Sequence, residues 1–180
     1  KPEDIKQYIG EAYFFRAYSY FDLLQLYGDV IITKKPLDIT DPEMKVKRND
    51  RSEVVDLIID DLNHAVENLP AFKELTTEEE GRISKEGAQA FLSRVALYEG
   101  TWQKSRNGNQ NTQRSANLLD IAAKAARTVI DAKYGYTFRL FGTDSETKIL
   151  GDSAQKYMFI LENEKSNPAG IKKSSNHEYI

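Results

Sequence analysis

Cysteine is absent from this chain of 180 residues. That excludes a disulfide scaffold, a thiolate metal site, a cysteine nucleophile and a lipid attachment point within these residues. Histidine is nearly absent too: His64 and His177 are the only two, too few for a histidine-rich metal centre. No apolar run reaches the length of a membrane-spanning helix, and no signal-peptide core is present. Basic charge is not in excess. The net charge of -3 leaves no electrostatic footprint for nucleic acid, which is not expected as a partner.

What is present fits a globular chain. Apolar residues make up 40% and charged residues 29%, neither a disordered nor a membrane-spanning balance. The length suffices for one domain that buries about 70% of its unfolded surface. Lys1-Pro2-Glu3-Asp4 opens directly on a helix start, and the polar stretch after Asn167-Pro168-Ala169-Gly170 ends nothing obvious. Residues 1–180 therefore read as one partial domain of a longer chain, with no internal boundary.

The densest signal is Gly10-Glu11-Ala12-Tyr13-Phe14-Phe15-Arg16-Ala17-Tyr18-Ser19-Tyr20-Phe21, continued by Leu26-Tyr27-Gly28-Asp29. At 100° per residue, Ile5, Tyr8, Ile9, Ala12, Phe15, Leu23, Leu26 and Tyr27 form one broad apolar face. Tyr13, Ala17 and Leu24 extend it, Phe14 and Phe21 flank the other side, and only a narrow stripe is polar. A helix apolar over most of its circumference is expected to lie between other elements. Arg16 points into the apolar side, so it needs a carboxylate or an aromatic face nearby.

This first helix should run from about Lys1 to Tyr27, with Gly28 as its left-handed stop. Val30 to Thr33 reads as a short extended segment, and Lys34 to Asp50 as a long loop. Ser52 should cap a second helix whose apolar positions Val55, Ile58, Leu62, Ala65 and Leu69 step by three and four; Pro70 ends it. Ala71 to Glu80 is an acidic connector. Ser84 should cap a third helix with Ala88, Phe91, Leu92, Val95 and Tyr98 on one face, and Gly100-Thr101-Trp102 at its end. Ser105 to Arg114 contains no apolar residue and is expected to be a loop. A fourth helix is predicted from about Ala116 to Lys133, with Leu118, Ile121, Ala122, Ala125, Val129 and Ile130 inward. Tyr136 to Phe141 and Tyr157 to Leu161 look extended. The fold class is all-α: irregular tetratricopeptide-like helical hairpins with long loops and minor extended segments.

No catalytic residue, metal site or cofactor is expected. The acids Asp60-Asp61 and Glu78-Glu79-Glu80 are adjacent in sequence and do not converge, and no carboxyl pair stands at glycosidase separation. No nucleophile–base constellation or phosphate-binding glycine loop occurs.

Taken in order, the motifs resemble the SusD/RagB family, surface glycan-binding lipoproteins of Bacteroidetes. The residues that carry the likeness are the Gly10–Asp29 segment, then Arg51-Ser52-Glu53-Val54 through Ile58, Asp61-Leu62, Ala65 and Leu69-Pro70. The third signature is Gly81-Arg82-Ile83-Ser84 through Ala88, Leu92, Arg94-Val95 and Leu97-Tyr98, then Gly100 and Trp102. Glu11, Arg16, Gly28, Asp29, Asp61, Arg82 and Arg94 are its structural signature positions here. Two departures stand out: Ile31-Ile32 replaces the usual Pro-Leu after Tyr-Gly-Asp-Val, and the polar insertion after Trp102 is long.

The resemblance implies a lipoprotein on the outer face of the outer membrane, anchored through a lipidated N-terminus that this chain does not contain. It would capture an oligosaccharide, or in some relatives a peptide, and pass it unchanged to a TonB-dependent, SusC-like barrel transporter. The signature motifs build scaffold, so most ligand contacts are expected outside these residues. Trp102, Asn109 and Asn111 are weak ligand candidates, because sugar sites stack aromatic rings on pyranose faces and use amides for hydroxyls. Against this, the family pattern sets Trp102 at a hairpin turn, packed between helices. Asp29 reads as a turn carboxylate. Asp152-Ser153-Ala154 fits a short O-glycosylation pattern. The rival reading is a helical-repeat adapter that binds proteins and no glycan.

Overall fold

The computed structural model describes residues 2–79, 81–106, 112–143, 145 and 147–155. Four helices carry the fold: α1 (Pro2–Tyr27), α2 (Arg51–Asn68), α3 (Lys85–Arg106) and α4 (Thr112–Ile130). Each packs against the next in chain order, as two helical hairpins joined through α2 and α3. Among the described residues there is no strand; Val30 and Asn49 form a single antiparallel bridge. Tyr136 to Phe141 holds no strand, and Tyr157 to Leu161 lies outside the described residues. Nor is any described helix long and apolar enough to cross a membrane.

The largest correction concerns α1. Its core face is Gly10, Phe14, Ala17, Tyr20, Phe21 and Leu24. The broader apolar face expected to be buried is largely exposed: Ile5, Tyr8, Ile9, Phe15, Leu23, Leu26 and Tyr27 all face outward, as does Ala12. The physical reason is closeness of approach. A Cβ on Gly10 would stand 2.9 Å from both the Leu69 side chain and its backbone nitrogen. Small residues at Gly10 and Ala17 let α2 come in, so fit selects this side over the more hydrophobic one.

The remaining core follows the predicted periodicity. Val55, Ile58, Leu62, Ala65 and Leu69 are buried, with Ala88, Leu92 and Val95 from α3 and Leu118, Ala122 and Ala125 from α4. Phe91 and Tyr98 are half-buried, and Phe21 meets both edge-on at 5.5 Å. Ile130, expected inside, is exposed.

Helix ends moved in several places. Gly28 has φ 71°, the left-handed geometry expected of it. Asp50 takes the N-cap position expected of Ser52, and the Glu53 carboxylate accepts its backbone N–H at 3.2 Å. The Ser84 hydroxyl accepts the Gly87 N–H at the start of α3 as predicted. α3 continues through Gly100-Thr101-Trp102 to Arg106, so Trp102 stands inside a helix and not at a turn. Gly100 persists there because α4 crosses closely: an added Cβ would meet Leu119 at 3.0 Å. Thr112 to Arg114 form the first turn of α4, which ends at Ile130 rather than Lys133. Asn107, Asn109, Gln110 and Asn111 lie outside the described residues.

Candidate functional site

Three arginine–carboxylate pairs tie the first three helices together. Arg16 of α1 donates from Nε and Nη2 to the two oxygens of Asp61 on α2, at 2.7 and 2.5 Å. Asp61 is fully buried, and its hydrogen bond holds the Arg16 guanidinium above its usual pKa against the opposing effect of burial. Arg16 also lies 5.3 Å from the Tyr13 ring centre. Both the carboxylate and the aromatic face that the sequence demanded are therefore present.

Arg82, just ahead of α3, grips Glu11 of α1 in the same two-pronged way, at 2.7 and 2.8 Å. Glu11 raises the Arg82 pKa, with a smaller contribution from Tyr8, whose ring centre lies 4.9 Å away.

The third pair centres on Arg51, the first residue of α2. Its backbone N–H donates to Asp29 Oδ1 at 2.9 Å, so the carboxylate after the Gly28 turn satisfies one of the orphan donors that open α2. Its side chain donates to Glu99 Oε2 at 2.8 Å and to the Leu24 carbonyl at 3.4 Å. Glu99 is fully buried inside α3, and its other oxygen accepts from Gln103 at 2.7 Å. The Arg51 guanidinium stacks 4.1 Å from the centre of the Trp102 ring. One arginine thus joins the end of α1, the start of α2 and the last turns of α3. Half-buried Trp102 is its lid.

Neither Arg51 nor Glu99 was singled out as a site residue. A signal existed: Leu92, Val95, Glu99 and Gln103 fall on one stripe of α3, and a carboxylate on an apolar stripe needs a buried cation. Arg94, by contrast, is exposed and makes no ion pair among the described residues.

Among the described residues, two hollows are of a size to hold a ligand. The larger, about 660 Å³, runs between α2 and α4; it is lined by Asp56, Ile59, Asp60 and Asn63 and by Gln113, Arg114, Asn117, Leu118 and Ile121. Arg114 bridges it, donating to Asp56 Oδ1 at 2.7 Å and to the Ser52 carbonyl at 3.0 Å. The smaller, about 200 Å³, lies between the ends of α3 and α4 beside Gln103, Lys104 and Thr112. Both offer amides and charged groups over an aliphatic floor, chemistry suited to hydroxyls. No aromatic ring lines either, so neither supplies a platform for stacking a sugar.

Comparison with known proteins places this scaffold. Residues 1–97 match the SusD-like family model described as starch-binding and associating with the outer membrane. A SusD-like protein of Formosa agariphila is 37% identical over 93 residues, covering 51% of this chain and 17% of the relative. The crystal structure of a SusD-like protein from Bacteroides fragilis aligns with TM-score 0.64 and 27% identity, covering 93% of this chain and 26% of that one. A laminarin-binding SusD-like protein aligns with TM-score 0.59 and 26% identity, covering 86% and 30%. The chain therefore spans under a third of the length of each of these proteins. With more than half of its residues matched, it belongs to the SusD-like family.

Proposed function

We propose that this chain is part of the helical scaffold of a non-catalytic nutrient-binding protein on the outer face of the outer membrane. The whole protein captures an oligosaccharide and hands it unchanged to a TonB-dependent barrel transporter. The observation that carries this reading is the family match across α1, α2 and most of α3, joined by likeness to a laminarin binder. The geometry agrees with a scaffold role. The buried carboxylates of Asp61 and Glu99 are held by arginines that join helices, which favours rigidity over proton transfer. Trp102 is committed to Arg51, which takes it out of use as a stacking platform for a glycan.

The test is purification of the tagged full-length parent from outer membranes in mild detergent, with its companions identified by mass. Recovery of a large β-barrel transporter supports the uptake role, and a glycan panel by calorimetry then names the ligand. Recovery without a barrel, and without binding to any glycan, supports the helical-repeat adapter instead.

A further inference from the structure

The loop between α1 and α2 runs against the charge of the chain. Residues 34–48 hold five basic side chains and three acidic ones, in a protein whose net charge is -3. Two of those acids are already engaged: Lys35 Nζ stands 3.1 Å from Asp41 and 3.0 Å from Glu43. Lys34, Lys45, Lys47 and Arg48 are all exposed and make no ion pair among the described residues. Asp38 is the only acid of the loop left without a cation.

The base of the loop is held. Asn49 pairs with Val30 in the antiparallel bridge, and its side-chain oxygen accepts the Ile32 N–H at 2.9 Å. The hydroxyl of buried Tyr20 accepts the Thr33 N–H at 2.6 Å. With the Lys35 bridges, these bonds draw the two arms together, Lys34 on one and Lys45 to Arg48 on the other. Between the cations stand aliphatic side chains that a solvated loop has no reason to expose. Ile39 is 88% exposed, Met44 52% and Val46 46%.

Unpaired cations interleaved with exposed aliphatic groups suit an interface that is charged at its surface and apolar beneath. We propose that this loop is a docking surface for anionic lipid. Lys34, Lys45, Lys47 and Arg48 meet the phosphate headgroups, while Ile39, Met44 and Val46 enter the interfacial layer. A polysaccharide bearing acid groups would also draw the cations, but the loop contains no aromatic ring on which a sugar could stack. Nor would such a ligand use the aliphatic side chains. The proposal deepens the placement at the outer membrane given above and rests on it: the contact would fix how the helical scaffold sits against the lipid.

The test uses the full-length parent, prepared without lipid modification, in co-sedimentation with phospholipid vesicles. One set is phosphatidylcholine alone; the other carries about one part phosphatidylglycerol to three of phosphatidylcholine. Neither glycan nor transporter is present. Absence of vesicle binding thus overturns only this proposal, and absence of a barrel partner overturns only the uptake reading. The expected result is binding that prefers the anionic vesicles and weakens as salt is raised. Each cation near such a surface is worth about five-fold in affinity, so Lys45→Gln, Lys47→Gln and Arg48→Gln together should weaken binding ten-fold or more. Met44→Ser with Val46→Ser should lower the part that survives salt. All five side chains are exposed, so the variants should keep the helical circular dichroism of the parent. Binding that ignores lipid charge, or that the triple variant retains, overturns the proposal. Dextran sulfate bound through the same three cations, with no binding to vesicles, overturns it in favour of an anionic polysaccharide.

Discussion

Arg16 closes over Asp61. The carboxylate is fully buried in α2, and a guanidinium from α1 supplies both of its charge-assisted hydrogen bonds. Residues 45 positions apart in sequence thus decide together how the first hairpin closes.

Removing the arginine strands the acid. Arg16→Ala should lower stability by about 3 kcal/mol, because breaking a buried pair leaves an uncompensated charge. Arg16→Met combined with Asp61→Leu should recover most of that loss, since an apolar pair of similar size can replace a buried ion pair. Urea unfolding of the three variants measures both effects. A single-variant loss below about 0.5 kcal/mol, ordinary for a surface position, would contradict the pairing.

Arg51 and Trp102 make a similar prediction with an optical readout. Trp102 is the only tryptophan of this chain, so its emission reports on the surroundings of that one ring, Arg51 among them. Arg51→Leu should shift that emission and destabilise the fold by about 3 kcal/mol by orphaning buried Glu99. Trp102→Ala should cost stability without changing glycan affinity in the full-length parent. Loss of glycan binding in a folded Trp102→Ala protein would move the ligand site onto α3.

Gly10 and Gly28 are constrained for different reasons. Gly10→Val would drive side-chain carbons into Leu69 and should cost about 1–3 kcal/mol, as overpacking does. Gly28→Ala has open space around it, with its nearest neighbour 4.0 Å away, but sits at φ 71°. It should lose about 1–2 kcal/mol from the left-handed conformation alone. Thermal unfolding of both, alongside Gly81→Ala at φ 89° with nothing nearby, separates strain from collision.

Acid should loosen the connector between α2 and α3. Glu79 accepts the Thr76 backbone N–H at 3.1 Å and its hydroxyl at 2.9 Å, and the backbone bond is the chief reason its carboxyl titrates below the ordinary range. A depressed folded pKa means the contribution is present above the unfolded value, about 4.3, and is lost as pH falls through the folded one. Glu79→Gln should therefore lower stability slightly at neutral pH, where the contribution is present, and flatten the acid limb, so that the two proteins converge at low pH. An unaltered acid limb would show that the Thr76 contacts do not persist in solution.

Much of the architecture was legible in the residues. Gly28, Ser84 and the three- and four-residue steps of α2 and α3 place helices and stops from local chemistry, because caps and periodicity act within a few residues. The need of Arg16 for a partner was legible in the same way. Its partner was not, since Asp61 sits beside another acid on a different helix. Trp102 was misplaced because Gly100 reads as a helix terminator, whereas here its missing side chain makes room for Leu119 of α4. The ligand candidates Asn109 and Asn111 lie outside the described residues, and Trp102 faces an arginine.

By itself the sequence determined the all-α class, the order of four amphipathic or apolar helices and the family signatures. Those follow from covalent order and short-range preference. Which side of α1 enters the core, which acid each arginine holds, and what Trp102 covers were decided only by tertiary structure. α1 carries two apolar faces, and hydrophobicity alone ranks the wrong one first. Close packing accounts for the choice: at Gly10 the end of α2 approaches so closely that an added Cβ would stand 2.9 Å from Leu69.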